Sequence, residues 1–195
     1  MSFPHRVVVA SRNAHKIDEI RRICADWPVE WVVDAEWPEV EETGEGYLEN
    51  ALLKARAVAE ATGEAALADD SGIEVDALGG APGPRSARYA GPDAGDHENL
   101  RALIAAVAGV PGSARTARYR AVTVLARPGG EDVHADGASE GTLLTAPRGG
   151  GGFGYDPIFV PEGWDRTMAE LSPEEKDRLS HRGRALRALR DALAR

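Results

Sequence analysis

Two adjacent acids, Asp69 and Asp70, are the residues of this chain whose setting most directly indicates chemistry. They follow a short apolar run, Ala65 to Ala68, and a Ser-Gly pair separates them from an alternating segment that begins at Ile73. The pattern predicts a strand, a tight acidic corner and a second strand. Two carboxylates at the end of a buried strand need a cation, hydrogen bonds or solvent, because burial of an unpaired charge is very costly. A divalent metal ion would meet this need, and an ordinary polar turn is the alternative.

Lysine is scarce in this chain, and the positions that keep it are candidate ligand contacts. Only three of the 23 Lys and Arg residues are lysines, namely Lys16, Lys54 and Lys176. An ammonium group is a compact point charge, which suits phosphate oxygens and tight sites better than the planar guanidinium of arginine does. The alternative is a codon bias that favours arginine and gives the three positions no special meaning.

The first lysine closes a polar loop between a predicted strand, Arg6 to Ala10, and a predicted helix. Apolar residues at helical spacing from Ile17 to Trp27 indicate the helix. Free backbone N–H groups and the helix dipole point at such a loop, which therefore suits an anion. An ordinary capped helix start is the alternative. The loop consists of Ser11, Arg12, Asn13, Ala14, His15 and Lys16.

A second predicted helix, Tyr47 to Thr62, follows an acidic segment that contains Glu42. Its apolar stripe leaves Asn50 and Lys54 together on another face, because residues four apart lie one above the other on a helix. On that face the two side chains would contact either a ligand or solvent.

A run of four glycines, Gly149 to Gly152, opens into a segment with two aromatic residues, Phe153 and Tyr155. Aromatic residues in so flexible a backbone are poor core material, and they suit a stacking platform for a flat ligand. A flexible hairpin tip is the alternative.

The C-terminal part of the chain predicts two helices. Ser172 is a strong cap residue, and the Pro and Glu residues after it complete a helix start whose first turn carries Lys176. The helical pattern breaks at His181 and Arg182, before a final amphipathic helix. At such a junction these two side chains act either as helix caps or as ligand contacts.

Composition and charge limit the possible functions. The 195 residues are 43% hydrophobic and carry a formal net charge of −9, which argues against non-specific binding to nucleic acid or to an anionic membrane surface. No apolar run suits a membrane span or a signal peptide, so we expect a cytoplasmic protein. The single cysteine, Cys24, is predicted to be a core residue. We expect one α/β domain over residues 1–195.

Eight short motifs occur in the same order as in a known family. They are SRNAHK at 11–16, EETG at 41–44, ENALLKA at 49–55, ADDSG at 68–72, GGAPG at 79–83, SARYAG at 86–91, GGFGYDP at 151–157 and SHRG at 180–183. On these motifs the sequence resembles the inosine triphosphate pyrophosphatase family, also described as the dITP/XTP or non-canonical purine NTP pyrophosphatases. The resemblance covers nearly the whole chain.

The resemblance implies an elongated mixed β-sheet flanked by helices, with two lobes around a central nucleotide cleft. It also implies a Mg²⁺-dependent homodimer that hydrolyses ITP, dITP and XTP to the monophosphate and pyrophosphate. The implied partner is a purine nucleoside triphosphate, and no nucleic acid or membrane partner is expected. Two alternatives stay open: a Maf-like pyrophosphatase for modified pyrimidine nucleotides, and a non-enzymatic nucleotide sensor on the same scaffold.

Matching the motifs position by position assigns roles by resemblance. Glu42 and Asp70 match the metal-associated acids, and Asp70 also matches the proposed base. Lys54 matches the second phosphate lysine and is expected to assist catalysis. Asp69 is expected to assist catalysis either by supporting the metal through water or by holding Asp70 in position. Arg12 is a departure, because many members carry glycine at its position. The implied substrate contacts are Ser11, Arg12, Asn13, Ala14, His15, Lys16, Lys54, Ser71, Phe153, Gly154, Tyr155, Asp156, Lys176, His181 and Arg182.

Overall fold

Six strands pair into one sheet and five α-helices accompany them in the computed structural model, which describes residues 3–194. The strands are β1 (Arg6–Val9), β2 (Glu30–Val32), β3 (Ala65–Val75), β4 (Thr116–Ala126), β5 (Val133–Leu143) and β6 (Phe159–Pro161). The α-helices are α1 (Ala14–Ile23), α2 (Tyr47–Thr62), α3 (Asp96–Val107), α4 (Pro173–Leu179) and α5 (His181–Leu193). Short three-ten helices occupy Asp76–Leu78, Gly83–Arg88, Gly112–Ala114 and Met168–Glu170.

The strand order in the sheet is β2-β1-β3-β4-β5-β6. Strand β1 pairs in parallel with both of its neighbours, so that Val8 lies opposite Val32 of β2 and Ala66 of β3. Strands β5 and β6 pair in the antiparallel sense, with Thr142 opposite Val160. The sheet thus contains both kinds of pairing, and the predicted mixed α/β fold is confirmed.

The chain divides into two compact units. Within the described residues, unit 1 takes the chain up to Asp70, then Ala121–Gly137, then the chain from His181 onward. Unit 2 takes Ser71–Arg120 and Ala138–Ser180. Strands β3, β4 and β5 contribute residues to both units. The expectation that residues 1–195 behave as one domain stays a prediction.

Strand β1 and the part of β3 that lies in unit 1 are buried on both faces. In β1, Val7 and Val9 pack into a core with residues of α1 and α5, while Val8 packs into a second core with residues of α2. Strand β3 repeats this division, because Leu67 belongs to the first core and Ala68 to the second. Successive side chains of a strand point to opposite faces. Odd-numbered residues of this part of β3 therefore face α1 and α5, and even-numbered residues face α2.

Helix α5 packs closely against β5 at Gly137. A Cβ atom on this glycine would lie 2.1 Å from the carbonyl oxygen of His181 and 2.4 Å from the backbone nitrogen of Ala185. A residue without a side chain is therefore required where the two backbones meet. The contact fixes the first turn of α5 against the sheet within unit 1.

Unit 2 has a core of its own. Its buried residues include Ile73 of β3, Leu103 of α3, Tyr119 of β4 and Phe159 of β6. Tyr155 also belongs to this core and is only 4% exposed. The expectation that both aromatic residues of the glycine-rich segment lie outside the core is thus wrong for Tyr155, because neighbouring core side chains enclose its ring.

The predicted acidic corner is wrong. Residues 69–72 lie in the middle of the continuous strand β3. Gly72 serves packing and not a turn, since a Cβ atom there would lie 2.2 Å from the carbonyl oxygen of Gly83 and 2.6 Å from Oγ of Ser86.

The other predicted elements agree closely with the structure. Helix α2 spans the predicted residues 47–62. Ser172 caps α4, and Cys24 is fully buried in the core, as predicted. Among residues 3–194, no helix combines the length and the apolar character that crossing a membrane requires.

Candidate active site

The side chains of β3 continue to alternate between the two faces of the sheet at Asp69 and Asp70, as they do at the preceding apolar residues. Asp69 faces α1 and α5, as Leu67 does, and Asp70 faces α2, as Ala68 does. Both acids are nearly inaccessible, at 2% and 5% exposed. Neighbouring carboxylates in one strand thus meet two different sets of partners, because the strand itself separates their side chains.

Asp69 is held by Arg182, a buried arginine in the first turn of α5. Nε and Nη2 of Arg182 both donate to Oδ2 of Asp69, at 3.1 and 2.8 Å, and Nη1 donates to Glu19 at 2.5 Å. Arg182 is 1% exposed and Glu19 is 5% exposed. A buried guanidinium needs anionic partners, and these two acids supply them.

The other oxygen of Asp69 lies 3.4 Å from Nζ of Lys16. Burial alone would raise the pKa of Asp69, but the positive charges of Arg182, Lys16 and Lys54 outweigh it and hold that pKa well below its usual range. Asp69 is therefore ionised at neutral pH. Burial lowers the pKa of Lys16, with Asp69 opposing that effect and the neighbouring cations adding to it.

Lys54 of α2 contacts Asp69 and Asp70 of β3 and also Glu42. Its ammonium group lies 2.9 Å from Oε1 of Glu42 and 3.6 Å from Oδ1 of Asp70, and it donates to the backbone oxygen of Asp69 at 3.0 Å. Burial would lower the pKa of Lys54, but the charges of Asp70, Glu42 and Asp69 outweigh that effect and raise it. Lys54 is therefore a firmly protonated cation between the carboxylates of Glu42 and Asp70, and it also bonds to the backbone oxygen of Asp69.

Asp70 differs from Asp69 in its protonation chemistry. Its pKa is raised, first by burial and then by the charges of Glu42 and Asp69, against the opposing effect of Lys54 and Lys16. Nδ2 of Asn50 donates to Oδ2 of Asp70 at 3.3 Å. A carboxylate with a raised pKa accepts a proton more readily than an ordinary aspartate does, which suits a general base.

The predicted position of Asn50 on a solvent or ligand face is wrong. Asn50 is fully buried in α2. Its Oδ1 accepts from the backbone nitrogen of Gly44 at 2.8 Å while its amide group donates to Asp70. Asn50 thus connects the segment that carries Glu42 to β3. The buried face of α2 is therefore wider than its apolar residues alone indicate.

The predicted phosphate loop is ordered by its own side chains. Oδ1 of Asn13 accepts from the backbone nitrogen of Lys16 at 3.2 Å and caps α1, and Oγ of Ser11 accepts from the backbone nitrogen of Asn13 at 3.2 Å. Ala14 and His15 are exposed in the first turn. The capped helix start is therefore present, and it aims Lys16 at Asp69.

Arg12 contacts another segment of unit 1. Its Nη2 donates to the carbonyl oxygen of Trp37 at 3.0 Å, and its guanidinium lies 5.9 Å from the centroid of the Trp37 ring. The side chain is exposed and connects the loop to the segment after β2. The role of the whole loop in binding phosphate stays a prediction.

The acidic residues of unit 1 are suitable ligands for magnesium. Within residues 3–194, no group of three His, Cys, Asp or Glu side chains converges as a complete metal site. Mg²⁺ commonly binds through only one or two carboxylates and takes its other ligands from water and substrate phosphates. The carboxylates of Glu42 and Asp70 lie around one cationic group, Lys54. The oxygen donors that the resemblance implies are therefore close together and fit the ion.

A second cluster of predicted site residues lies in unit 2. Oδ2 of Asp156 accepts from Nζ of Lys176 at 2.5 Å and from the backbone nitrogen of Phe153 at 2.9 Å. The same ammonium group lies 4.8 Å from the centroid of the Phe153 ring. Phe153 is half-buried, whereas Asp156 and Lys176 are buried. The cluster presents an aromatic ring, a cation and a carboxylate together, which are the groups that recognise a flat polar ligand.

Two of the remaining predicted substrate contacts make hydrogen bonds within unit 2. The backbone nitrogen of Gly154 donates to Asp96 at 3.0 Å, and the hydroxyl of Tyr155 donates to the carbonyl oxygen of Ser86 at 2.7 Å. Ser71 is half-buried and directly follows Asp70 in β3, and His181 is buried at the start of α5. Their predicted contacts with substrate stay predictions.

Glu19 and Tyr119 are the residues that sequence reasoning missed. Glu19 shares Arg182 with Asp69, and the hydroxyl of Tyr119 donates to Asp156 at 3.2 Å. Glu19 lies three residues after Lys16 on α1, which is the one sequence signal that would have placed it on the same face. Tyr119 lies in an alternating strand pattern, where its hydroxyl gives no signal of its own.

Comparison with known proteins places this arrangement among enzymes of one kind. The chain is 52% identical over 189 residues to the dITP/XTP pyrophosphatase of Streptomyces coelicolor, and the match covers 94% of each chain. It is 50% identical over 182 residues to the dITP/XTP pyrophosphatase of Symbiobacterium thermophilum, with 93% of this chain and 91% of that protein covered. The resemblance inferred from the eight motifs is confirmed.

Solved structures agree with the sequence comparison. The Ham1 protein of Coxiella burnetii superposes with a TM-score of 0.87 at 40% identity, covering 97% of this chain and 98% of that one. The Ham1 protein of Staphylococcus aureus superposes with a TM-score of 0.82 at 38% identity, with the same coverage. The model of the Ham1 family matches residues 7–192. This chain therefore belongs to the Ham1 family.

Proposed function

We propose that this chain is a Mg²⁺-dependent pyrophosphatase that hydrolyses dITP, ITP and XTP to the nucleoside monophosphate and pyrophosphate. The observation that carries the proposal is the position of Lys54, whose ammonium group lies among Glu42, Asp70 and the backbone of Asp69. Buried cations next to carboxylates suit a reaction in which a polyphosphate must be neutralised and a water molecule activated. The similarity to named dITP/XTP pyrophosphatases supports the same reaction.

Lys16 and Lys54 would bind the phosphates. Both ammonium groups are partly buried, with side chains 18% and 15% exposed, so that solvent screens their charge only in part. Negative charge builds up on the pyrophosphate as it leaves, and fixed cations stabilise that charge. The capped first turn of α1 adds backbone N–H groups beside Lys16.

Asp70 would orient and deprotonate the attacking water. In the metal-free protein its raised pKa makes it a better proton acceptor than an exposed aspartate would be. Glu42 and Asp70 would hold Mg²⁺, which when bound neutralises phosphate oxygens and so makes phosphorus easier to attack. Asn50 keeps Asp70 and the Glu42 segment in place through its two hydrogen bonds.

Asp69 acts on this account as a positioning residue. Its Oδ2 accepts from Arg182 and its Oδ1 lies near Lys16, and its depressed pKa makes it a poor proton acceptor. Its charge offsets the buried guanidinium and keeps Lys16 directed at β3. The role of Asp69 in catalysis would therefore be indirect.

The base would be recognised by the cluster in unit 2. Phe153 would stack on the purine, and Lys176 would donate to its 6-oxo group. An adenine amino group in that place would leave the donor unpaired, which can favour 6-oxo purines by about 10⁴ or more. Rejection of guanine requires a further device, because guanine also carries a 6-oxo group. We propose that its 2-amino group meets donors or a steric barrier.

Assembly and location complete the proposal. We propose a cytoplasmic homodimer that acts on free nucleotides and has no nucleic acid or membrane partner. The formal net charge of −9 supports the absence of non-specific nucleic acid binding. Size-exclusion chromatography with light scattering would test the dimer.

Product analysis tests the reaction itself. The purified chain is incubated with Mg²⁺ and each of ITP, XTP, dITP, ATP, GTP, UTP and TTP, and the released pyrophosphate and phosphate are measured separately. We expect pyrophosphate from the first three nucleotides at rates well above the other four. Preferred cleavage of UTP or TTP would favour a Maf-like enzyme, and nucleotide binding without any release would favour a sensor.

Substitution Asp70→Asn should lower kcat for ITP by about 10² to 10⁴, because the amide cannot accept a proton from water. The variant should be at least as stable as the wild type at neutral pH. A group whose folded pKa is raised contributes stability below its unfolded pKa and loses it as pH rises through the folded pKa, so ionised Asp70 is unfavourable there. Steady-state kinetics at saturating Mg²⁺ and urea unfolding test both points. Near wild-type kcat would contradict the assignment.

Substitution Lys54→Arg should lower kcat/KM for ITP at least tenfold despite the retained charge. The planar guanidinium cannot replace a compact ammonium that contacts Glu42, Asp70 and a backbone oxygen at once. Arg56→Lys is the matched control, since Arg56 lies two residues along α2 and pairs with Asp132 at the surface. Equal kinetics of Lys54→Arg and the wild type would mean that the lysine is not required as such.

Substitution Phe153→Ala should raise KM for ITP about tenfold with little change in thermal stability, because base stacking on an aromatic ring contributes about 1–3 kcal/mol. Tyr155→Ala provides the contrast, since its ring lies in the core and its loss should destabilise the fold by about 3 kcal/mol. Thermal unfolding and initial rates are measured for both variants. If Phe153→Ala lost stability and kept its KM, Phe153 would be a core residue.

A further inference from the structure

Asp156 of unit 2 is held through both of its carboxylate oxygens. The hydroxyl of Tyr119 donates to Oδ1 at 3.2 Å, while Oδ2 accepts from Lys176 and from the backbone of Phe153. Asp156 is 4% exposed, so its charge depends on these partners. A Cβ atom on Gly152 would lie 2.1 Å from Oδ2, which shows how closely the backbone surrounds the carboxylate.

The ring and the hydroxyl of Tyr119 make separate contacts. Its ring packs on Phe159 with centroids 4.8 Å apart, as a core residue of β4 does. Its hydroxyl, at the tip of the side chain, donates a hydrogen bond to Asp156. Loss of the hydroxyl alone would therefore leave the ring packing intact, because the two contacts use different atoms.

We propose that Tyr119 is a positioning residue for recognition of the base. A carboxylate can rotate about its Cβ–Cγ bond, and the hydrogen bond from Tyr119 to Oδ1 fixes the plane of Asp156. The fixed Oδ2 then holds the Lys176 ammonium over the Phe153 ring. Tyr119 thereby sets where Lys176 can donate to a purine, without contact between Tyr119 and the base. This inference rests on the proposed function, in which Phe153 and Lys176 recognise that base.

The test is a double-mutant cycle between Tyr119→Phe and Asp156→Ala, with KM and kcat for ITP measured for the wild type, both single variants and the double variant. Hydrogen bonds to charged groups are among the stronger ones, so Tyr119→Phe should raise KM about tenfold while kcat stays within about twofold. In the Asp156→Ala background the same change should raise KM less than about twofold, because the hydroxyl acts through that carboxylate.

Thr123→Val is the matched control. Thr123 lies on the same strand, is fully buried, and donates its hydroxyl hydrogen bond to the carbonyl oxygen of Ala135. Its loss should leave KM for ITP unchanged. A comparable rise in KM for this variant would show that any buried hydroxyl on β4 has the effect, and it would overturn the specific role of Tyr119.

Two other results would overturn the inference. The first is an unchanged KM in Tyr119→Phe, and the second is an equal rise in KM with and without the carboxylate of Asp156. These outcomes leave the proposed function intact. A wild-type chain that releases no pyrophosphate from ITP would instead overturn the proposed function and this inference with it.

Discussion

Two consecutive carboxylates in the middle of a buried strand point to opposite faces of the sheet, and this constraint organises the chemistry of unit 1. Each must therefore be offset by the helices on its own side. Asp69 meets Arg182 of α5 and Lys16 of α1, whereas Asp70 meets Asn50 and Lys54 of α2. The alternation of a single strand thereby gives two identical residue types two different environments.

Different environments give the two acids different chemistry. The cations around Asp69 hold its pKa well below the usual range, while burial raises the pKa of Asp70. One acid is therefore a fixed charge and the other can exchange a proton. Pairs of titratable groups with diverging pKa values are typical of acid–base catalysis. Lys54 connects the pair, because it lies near the carboxylate of Asp70 and bonds to the backbone of Asp69.

Much of this organisation follows from local sequence. Helix α2 is predictable from apolar periodicity, and Ser172 marks the start of α4. The three lysines are recognisable from their scarcity, and the structure places Lys16 and Lys54 beside the acids and Lys176 beside Asp156. These signals are local, so a single sequence contains them.

The failures concern residues whose environment comes from distant parts of the chain. The Asp-Asp-Ser-Gly sequence is typical of a turn. Arg182, which lies 113 positions further along the sequence, offsets the charge of Asp69 and allows a strand there. Gly72 permits the close approach of Gly83, which sequence spacing does not reveal. The apolar stripe of α2 predicts Asn50 on a face outside the core, although Asn50 is fully buried and bonds to Asp70 and Gly44.

The division of roles between the two acids is tested most directly by the stability of Asp69→Asn, measured by urea unfolding without metal at several pH values, with Asp70→Asn alongside. A group whose folded pKa is depressed contributes stability above its unfolded pKa and loses it as pH falls toward the folded value. Near neutral pH, Asp69→Asn should lose about 3 kcal/mol, because Arg182 loses a buried partner, and the deficit should shrink on acidification. Asp70→Asn should show no such deficit. Equal stability of the two variants at neutral pH would contradict the account.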